Sequence, residues 1–210
     1  MNCIISHPIS LIGESVNWKI GELLMDELKI IESCLLGNTQ VFSRLIDNYK
    51  NMVYNLAFRM SNNPQEAEDV SQEAFLRAYQ SLAHFNPSYK FSTWLYQITL
   101  NIIRDRFKKK EINYVSLDAP VETNDSEFYS QPADSTNNPE QIMAQKEDAQ
   151  AIQKAIYSLP LKYREVLVLR HLQDLSYIEI SNILKLPSGT VKIRLYRARE
   201  QLRKILTDNV

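Results

Sequence analysis

"LSYIEISNILKLPSGTVKIRLYRAREQLRKIL" (residues 175–206) holds two helical patterns separated by a proline and a glycine. Ser176-Tyr177-Ile178-Glu179 has the form of a capping box, in which serine and glutamate satisfy each other's backbone N–H groups at a helix start. The short helix it opens turns Ile180, Ile183 and Leu184 inward. "KLPSG" stops it, because proline cannot continue a helix. Ser188 then serves as N-cap of a last helix reaching about Leu206. A short helix, a tight turn and a longer helix make a helix-turn-helix.

On the last helix Val191, Leu195, Ala198, Leu202 and Ile205 recur at steps of four and three, one apolar stripe that packs on the preceding helices. The other faces carry Thr190, Lys192, Ile193, Arg194, Tyr196, Arg197 and Arg199. A solvated cationic face is the bland alternative. Against it, the charge is of one sign, Ile193 and Tyr196 sit among the cations, and the helix follows a capped turn. A helix-turn-helix sets the first residues of its second helix against base edges, with flanking bases on phosphates. These residues are therefore the DNA-binding candidates.

The rest of the chain frames that site. The 210 residues carry a net charge of −1 and are 44% hydrophobic and 23% charged, ordinary values for a globular protein with room for one or two domains. The charge is segregated, however. Between Asn113 and Asp148 the acids Asp118, Glu122, Asp125, Glu127, Asp134, Glu140, Glu147 and Asp148 face only Lys146. Between Lys185 and Lys204 only Glu200 opposes the cations. Cys3 and Cys34 cannot form a disulfide framework or a zinc site, and His7, His84 and His171 are scattered, so no metal is expected. No apolar run reaches the roughly 20 residues of a membrane span, and the N-terminus lacks a signal-peptide pattern, which predicts a cytoplasmic protein without membrane insertion. None of the four glycines lies in a phosphate-cradling loop, and no nucleophile motif occurs. An enzyme, a cofactor or a small-molecule substrate is not expected.

Upstream, Phe42, Leu45, Ile46, Tyr49, Met52, Val53, Leu56 and Met60 recur at helical spacing, as do Ala67, Val70, Ala74, Ala78 and Leu82. Asn63-Pro64 reads as N-cap and first helical residue. "FNPSYKFS" breaks that helix, and a further one runs from about Thr93 to Lys110 with Ser92 as its cap. No period-two alternation persists, so the fold class is all-α. The predicted organisation has an N-terminal extension at 1–24, read as disordered, and a helical domain at 25–112. A flexible acidic linker at 113–138 then leads to a second small helical domain at 139–210, beginning at the Asn138-Pro139 cap. In this second domain Ile142, Ala149, Ile152 and Ile156 mark one inward helix face, and Leu161, Val166, Leu167 and Leu169 another.

"SLPLKYREVLVLRHLQDLSYIEI" with "LSYIEISNILKLPSGTVKIRLYRAR" resembles the C-terminal DNA-reading region of bacterial RNA polymerase sigma factors of the extracytoplasmic-function group. "EAEDVSQEAFLRAYQSLAHF" followed by "FSTWLYQITLNIIRDRFKKK" is similar to that group's core-binding and promoter-melting region. The likeness covers about Met25 to Leu206. It implies a protein that associates with core RNA polymerase, directs it to promoter DNA and helps open the duplex, with an anti-sigma factor as a further partner. The N-terminal domain becomes sigma region 2 and the C-terminal domain sigma region 4. The resemblance implies that Lys192, Ile193, Tyr196 and Arg197 contact the upstream promoter element, with Arg194 and Arg199 on phosphates or the fold. Most relatives have serine where Ile193 stands; a branched apolar side chain packs on a thymine methyl instead of donating a hydrogen bond.

Glu66, Asp69 and Glu73 share one helix face. A metal-dependent enzyme would bring histidine at matching spacing, and there is none. A solvated acidic face remains open beside the family's reading, which makes Asp69, Gln72 and Glu73 the polymerase-docking face. The aromatic cluster Phe85, Tyr89, Phe91, Trp94 and Tyr96 suits either a core or a surface that receives an unstacked base. By resemblance Arg77, Ser81, Phe85 and Asn101 line a pocket for a flipped base at the start-proximal element. Arg104, Arg106, Lys108, Lys109 and Lys110 offer a cationic trail for the strand. The main rival is a conventional helix-turn-helix regulator acting without core polymerase; it leaves the acidic row and the aromatic loop unexplained.

Overall fold

The computed structural model describes residues 26–116 and 149–208. Within them every regular element is helical: α1 (26–35), α2 (Phe42–Ser61), α3 (Pro64–Gln80), α4 (Phe91–Ser116), α5 (149–157), α6 (Leu161–His171), α7 (Tyr177–Leu184) and α8 (Ser188–Asp208). Single 3-10 turns stand at Thr39–Val41 and Leu82–His84. The all-α expectation holds. The extension at 1–24, most of the expected linker and the Asn138-Pro139 cap lie outside the described residues.

In the N-terminal half α2, α3 and α4 pack on one another. Leu45, Val53, Leu56 and Met60 of α2 meet Ala67, Val70, Ala74 and Ala78 of α3, all buried. The alanines thin the α3 face, so the helices approach closely. The α2–α3 junction follows the sequence: Asn62 turns left-handed (φ 53°) with its N–H on the Phe58 carbonyl, and the Asn63 side chain accepts from Glu66 N–H at 3.0 Å. Two boundaries differ from expectation. Helix α4 begins at Phe91, so Ser92 lies inside it and is not its cap; Lys90 O accepts from the Thr93 and Trp94 N–H groups instead. Burial of the Phe91 ring among Tyr49, Phe85 and Trp94 draws that first turn into the helix. At its other end α4 runs to Ser116, four residues into the expected linker, since no proline or glycine interrupts it before Pro120.

In the C-terminal half α8 lies across α6 and α7. Ile152, expected inward, is exposed; Gln153, Ala155 and Ile156 take the buried face of α5. The capping box forms as read, with Ser176 Oγ accepting from Glu179 N–H and Glu179 Oε2 accepting from Ser176 N–H. Helix α7 ends before the proline acts. Lys185 takes the left-handed conformation (φ 54°), and the N–H groups of Lys185 and Leu186 both reach the Ser181 carbonyl. Ser188 is the first residue of α8 and not its cap, and Pro187 O receives the Val191 N–H.

The two halves are in contact. α2 packs on α6 and α4 on α7, and one continuous cluster of buried side chains runs from Ile31 to Ala198.

Candidate nucleic-acid interface

Helix α8 divides as its sequence periodicity requires. Val191, Leu195 and Ala198 are buried, while Ile193 is 56% and Tyr196 67% exposed. Large apolar side chains this open, flanked by exposed Lys192 and Arg197, form a surface that the protein's own core does not use. Thr190 and Arg194 are half-buried at its edge. Three of the cations are braced from beneath. Lys192 lies over the Tyr177 ring at 5.9 Å. Arg197, with Lys162 and Arg194 nearby, holds the Tyr163 phenol below its usual range. Arg199 donates to His171 Nε2 from Nε at 3.2 Å and lies 3.0 Å from it through Nη2. Burial together with Arg199 and Arg170 keeps the His171 imidazole below its ordinary pKa. Arg199 therefore ties α8 to α6.

The residues expected at the start-proximal element occupy two places. Arg77 on α3 lies 3.8 Å from Asp105 of α4 through Nη1, Ser81 just past the end of α3 donates its hydroxyl to the Arg77 carbonyl at 2.6 Å, and on the middle of α4 Arg104 Nη1 donates to Asn101 Oδ1 at 3.2 Å. Phe85 lies further along, packed on Phe91 (centroids 5.7 Å apart) and Trp94 (5.3 Å). It lines a cleft of about 490 Å³ with His84, Asn86, Tyr89, Thr93, Trp94 and Gln97 on one wall. Ser181, Asn182, Lys185 and Leu186 form the opposite wall. Arg77, Ser81 and Asn101 do not line this cleft. Thr93 and Gln97 went unnoticed in the sequence because nothing in a helical period marks a polar residue that faces a neighbour. The cationic trail is largely paired. Arg106 binds Glu73 at 2.7 Å, Lys110 binds Glu66 at 2.7 Å, and Arg104 forks onto Glu165 at 2.5 and 2.9 Å, while Lys108 is exposed.

The acidic face of α3 is likewise divided. Asp69 and Gln72 are exposed, whereas Glu73 is half-buried between Arg106 and Arg77, which hold its carboxyl below the usual range. Leu76 (57% exposed) and Tyr79 continue the Asp69–Gln72 face at helical spacing. Both were absent from the expected site. Their signal was present, since they are apolar residues off the Ala67–Val70–Ala74–Ala78 stripe.

A helical body with an aromatic loop on one half and a helix-turn-helix on the other defines a DNA-handling protein of transcription. Residues 45–111 match the Sigma-70 region 2 family and residues 149–202 the Sigma-70 region 4 family. The chain is 45% identical to the ECF RNA polymerase sigma factor SigW of Bacillus subtilis, over 86% of this chain and 96% of that one. It is 32% identical to the ECF RNA polymerase sigma-E factor of Escherichia coli, over 87% of this chain and 95% of that one. Among solved structures, the sigma factor RpoE of Bartonella quintana, in complex with the anti-sigma factor NepR, shares the fold with a TM-score of 0.63. That match is 23% identical and covers 79% of this chain and 96% of that one. The chain belongs to the ECF sigma factors of RNA polymerase. It acts as a sigma factor, which binds core RNA polymerase and directs it to promoter DNA. The regulator that would act without polymerase finds no counterpart among these relatives. Among the described residues no helix is long and apolar enough to cross a membrane.

Proposed function

We propose that the two halves divide promoter recognition, with residues 25–112 as region 2, 113–138 as linker and 139–210 as region 4. The exposed face of α8 (Thr190, Lys192, Ile193, Arg194, Tyr196 and Arg197) reads the upstream element, while Arg199 holds the helix in place. Arg77, Ser81, Phe85, Asn101, Arg104, Arg106 and Lys108 handle the start-proximal element. Asp69, Gln72 and Glu73, extended by Leu76 and Tyr79, dock on the polymerase. The protein works in the cytoplasm, carries out no catalytic chemistry of its own and is held in reserve by an anti-sigma factor. The observation that carries this reading is the exposed Ile193–Tyr196 pair among cations on the second helix of a helix-turn-helix. An apolar side chain that is exposed in the free protein loses that water contact when it packs on a thymine methyl in the major groove. Transcription from a randomised promoter library by purified core polymerase plus this protein tests it. Enriched promoters should share an upstream motif whose preference changes with Ile193→Ser and a start-proximal motif that does not. An unchanged upstream motif would remove α8 from base reading.

A further inference from the structure

We propose that Tyr177, which lies off the reading helix, is a positioning residue for DNA binding: its ring fixes the Lys192 ammonium in place to grip a backbone phosphate of the upstream element. The proposal rests on the reading of α8 as the helix that meets that element.

Lys192 stands exposed near the start of α8. Glu200 is the only acid between Lys185 and Lys204, and it pairs with Arg203 at 3.1 Å. Lys192 makes no ion pair among the described residues; its partner is the Tyr177 ring, with Nζ 5.9 Å from the centroid. A second ring was within reach along the helix. Tyr196 lies one turn further on α8 and is 67% exposed, yet Lys192 lies over Tyr177.

A ring that directs a lysine has to be fixed itself, and Tyr177 is held from several sides. It is the first residue of α7, so the Ser176–Glu179 capping box sets its backbone. Its side chain is half-buried against the core. Arg170 of α6 lies over the same ring at 5.4 Å, and its Nη1 donates to the Leu175 carbonyl at 2.9 Å, which ties down the chain just ahead of the tyrosine.

Lysine carries a point charge on a flexible stem, and holding it in one place costs rotamer freedom. The negative face of a fixed ring supplies that hold before DNA arrives. It also selects where the charge goes. In a helix-turn-helix the first helix crosses the DNA backbone while the second enters the groove. An ammonium held over the first residue of α7 therefore points toward the backbone, where a point charge serves a phosphate. Base edges are left to Ile193, Tyr196 and Arg197 further round the same face.

The test measures binding of the full chain to a fluorescent duplex carrying the upstream motif, over a salt series and on single-base variants of that duplex. Circular dichroism confirms that each variant is folded. Tyr177→Phe keeps the ring, and Tyr177→Leu keeps apolar packing without it. Tyr177→Phe should bind as the parent does. Tyr177→Leu should bind about three- to fivefold more weakly on every sequence, with a smaller salt slope. Lys192→Ala should lower the slope by about one, and adding Tyr177→Leu to it should cost nothing more, because the ring acts only through the lysine. Losses that add, a Tyr177→Phe variant as weak as Tyr177→Leu, or a loss confined to one base pair would each overturn the assignment. Arg197→Ala on the same duplexes separates the causes. If it and Lys192→Ala weaken binding while Tyr177→Leu does not, only the positioning role is wrong. If neither weakens binding, the reading of α8 has failed and the role of Tyr177 with it.

Discussion

Arg197 shows how a single side chain on α8 is tuned. The side chain is exposed at the reading surface, yet it lies close enough to the Tyr163 phenol to hold that group below its usual range. A braced arginine loses less rotamer freedom on meeting a base edge than one swinging in water. Arg197→Ala should therefore weaken upstream-element binding by about 1–3 kcal/mol and relax preference at one base pair. Tyr163→Phe should produce a smaller loss with the same base signature, measured by competition binding on a set of single-base variants of the upstream duplex. If the loss in Arg197→Ala is uniform across sequences and the salt slope shrinks, the contact is to phosphate. Arg199 behaves differently because His171 already occupies it, so Arg199→Ala should lower the melting temperature more than it changes sequence preference. On the polymerase-docking helix the same logic separates neighbours. Asp69 is exposed, but Glu73 holds Arg106 at 2.7 Å and Arg77 at 2.5 Å. Asp69→Lys should cut core-polymerase affinity with little effect on stability, since a rim charge mainly sets complementarity with its partner. Glu73→Lys should also loosen the α3–α4 contact, seen as a lower denaturation midpoint. Equal midpoints for the two variants would contradict the ion-pair assignment.

At the scale of elements, α7 depends on its cap more than the longer helices do, because eight residues cannot form a stable helix unaided. Ser176→Ala should cost about 1 kcal/mol in urea denaturation. Glu179 serves both the capping box and the Lys90 pair, and its carboxyl is held below the usual range chiefly by the Ser176 backbone N–H, then by the Ser176 hydroxyl and Lys90. A carboxylate with a depressed folded pKa contributes stability that is present above its unfolded value and lost as pH falls through the folded one. Acidification below the ordinary glutamate range should therefore loosen α7 and the Lys90 contact together, visible as a joint titration in carboxyl and Lys90 NMR signals; independent titrations would separate the two. The start of α7 was legible in advance because Ser176 and Glu179 announce themselves chemically, and Pro187 marked the break between α7 and α8 without setting either boundary. The left-handed Lys185 was not, since lysine carries no mark of that conformation and adopts it only where two N–H groups converge on the Ser181 carbonyl. Ser92 misled for a similar reason. A serine before an apolar run looks like a cap until the burial of Phe91 pulls the helix start forward. The DNA-facing side of α8 was readable because its apolar stripe was complete without Ile193 and Tyr196. The pairing of Arg104 with Glu165 was not readable, because residues 61 apart in sequence share no period. Helix α6 did carry a hint, as the unbroken apolar run Val166–Leu169 covers a full turn of helix, and a helix apolar all round must have neighbours on every side.

For the whole molecule, the closed packing sets what the protein can do before it meets polymerase. Two promoter elements separated by two turns of duplex lie about 70 Å apart. The two halves share a continuous core, so they cannot face both elements without coming apart. Covalent reach does not forbid separation. The chain between Ser116 and residue 149, if fully extended, spans on the order of 100 Å. The obstacle is energetic, because separation exposes apolar surface from α2, α4, α6 and α7 and strips Glu165 of its partner, leaving a carboxylate that was paired when buried. Contacts to a polymerase surface can offset that cost, and contacts to bare DNA at one element cannot. Footprinting of a promoter fragment by the free protein should accordingly show protection at the upstream element alone, and only at low salt. Addition of core polymerase should extend protection to both elements together, without an intermediate in which the start-proximal element is protected first. Two-element protection by the protein alone would mean that the halves part more readily than their shared core implies.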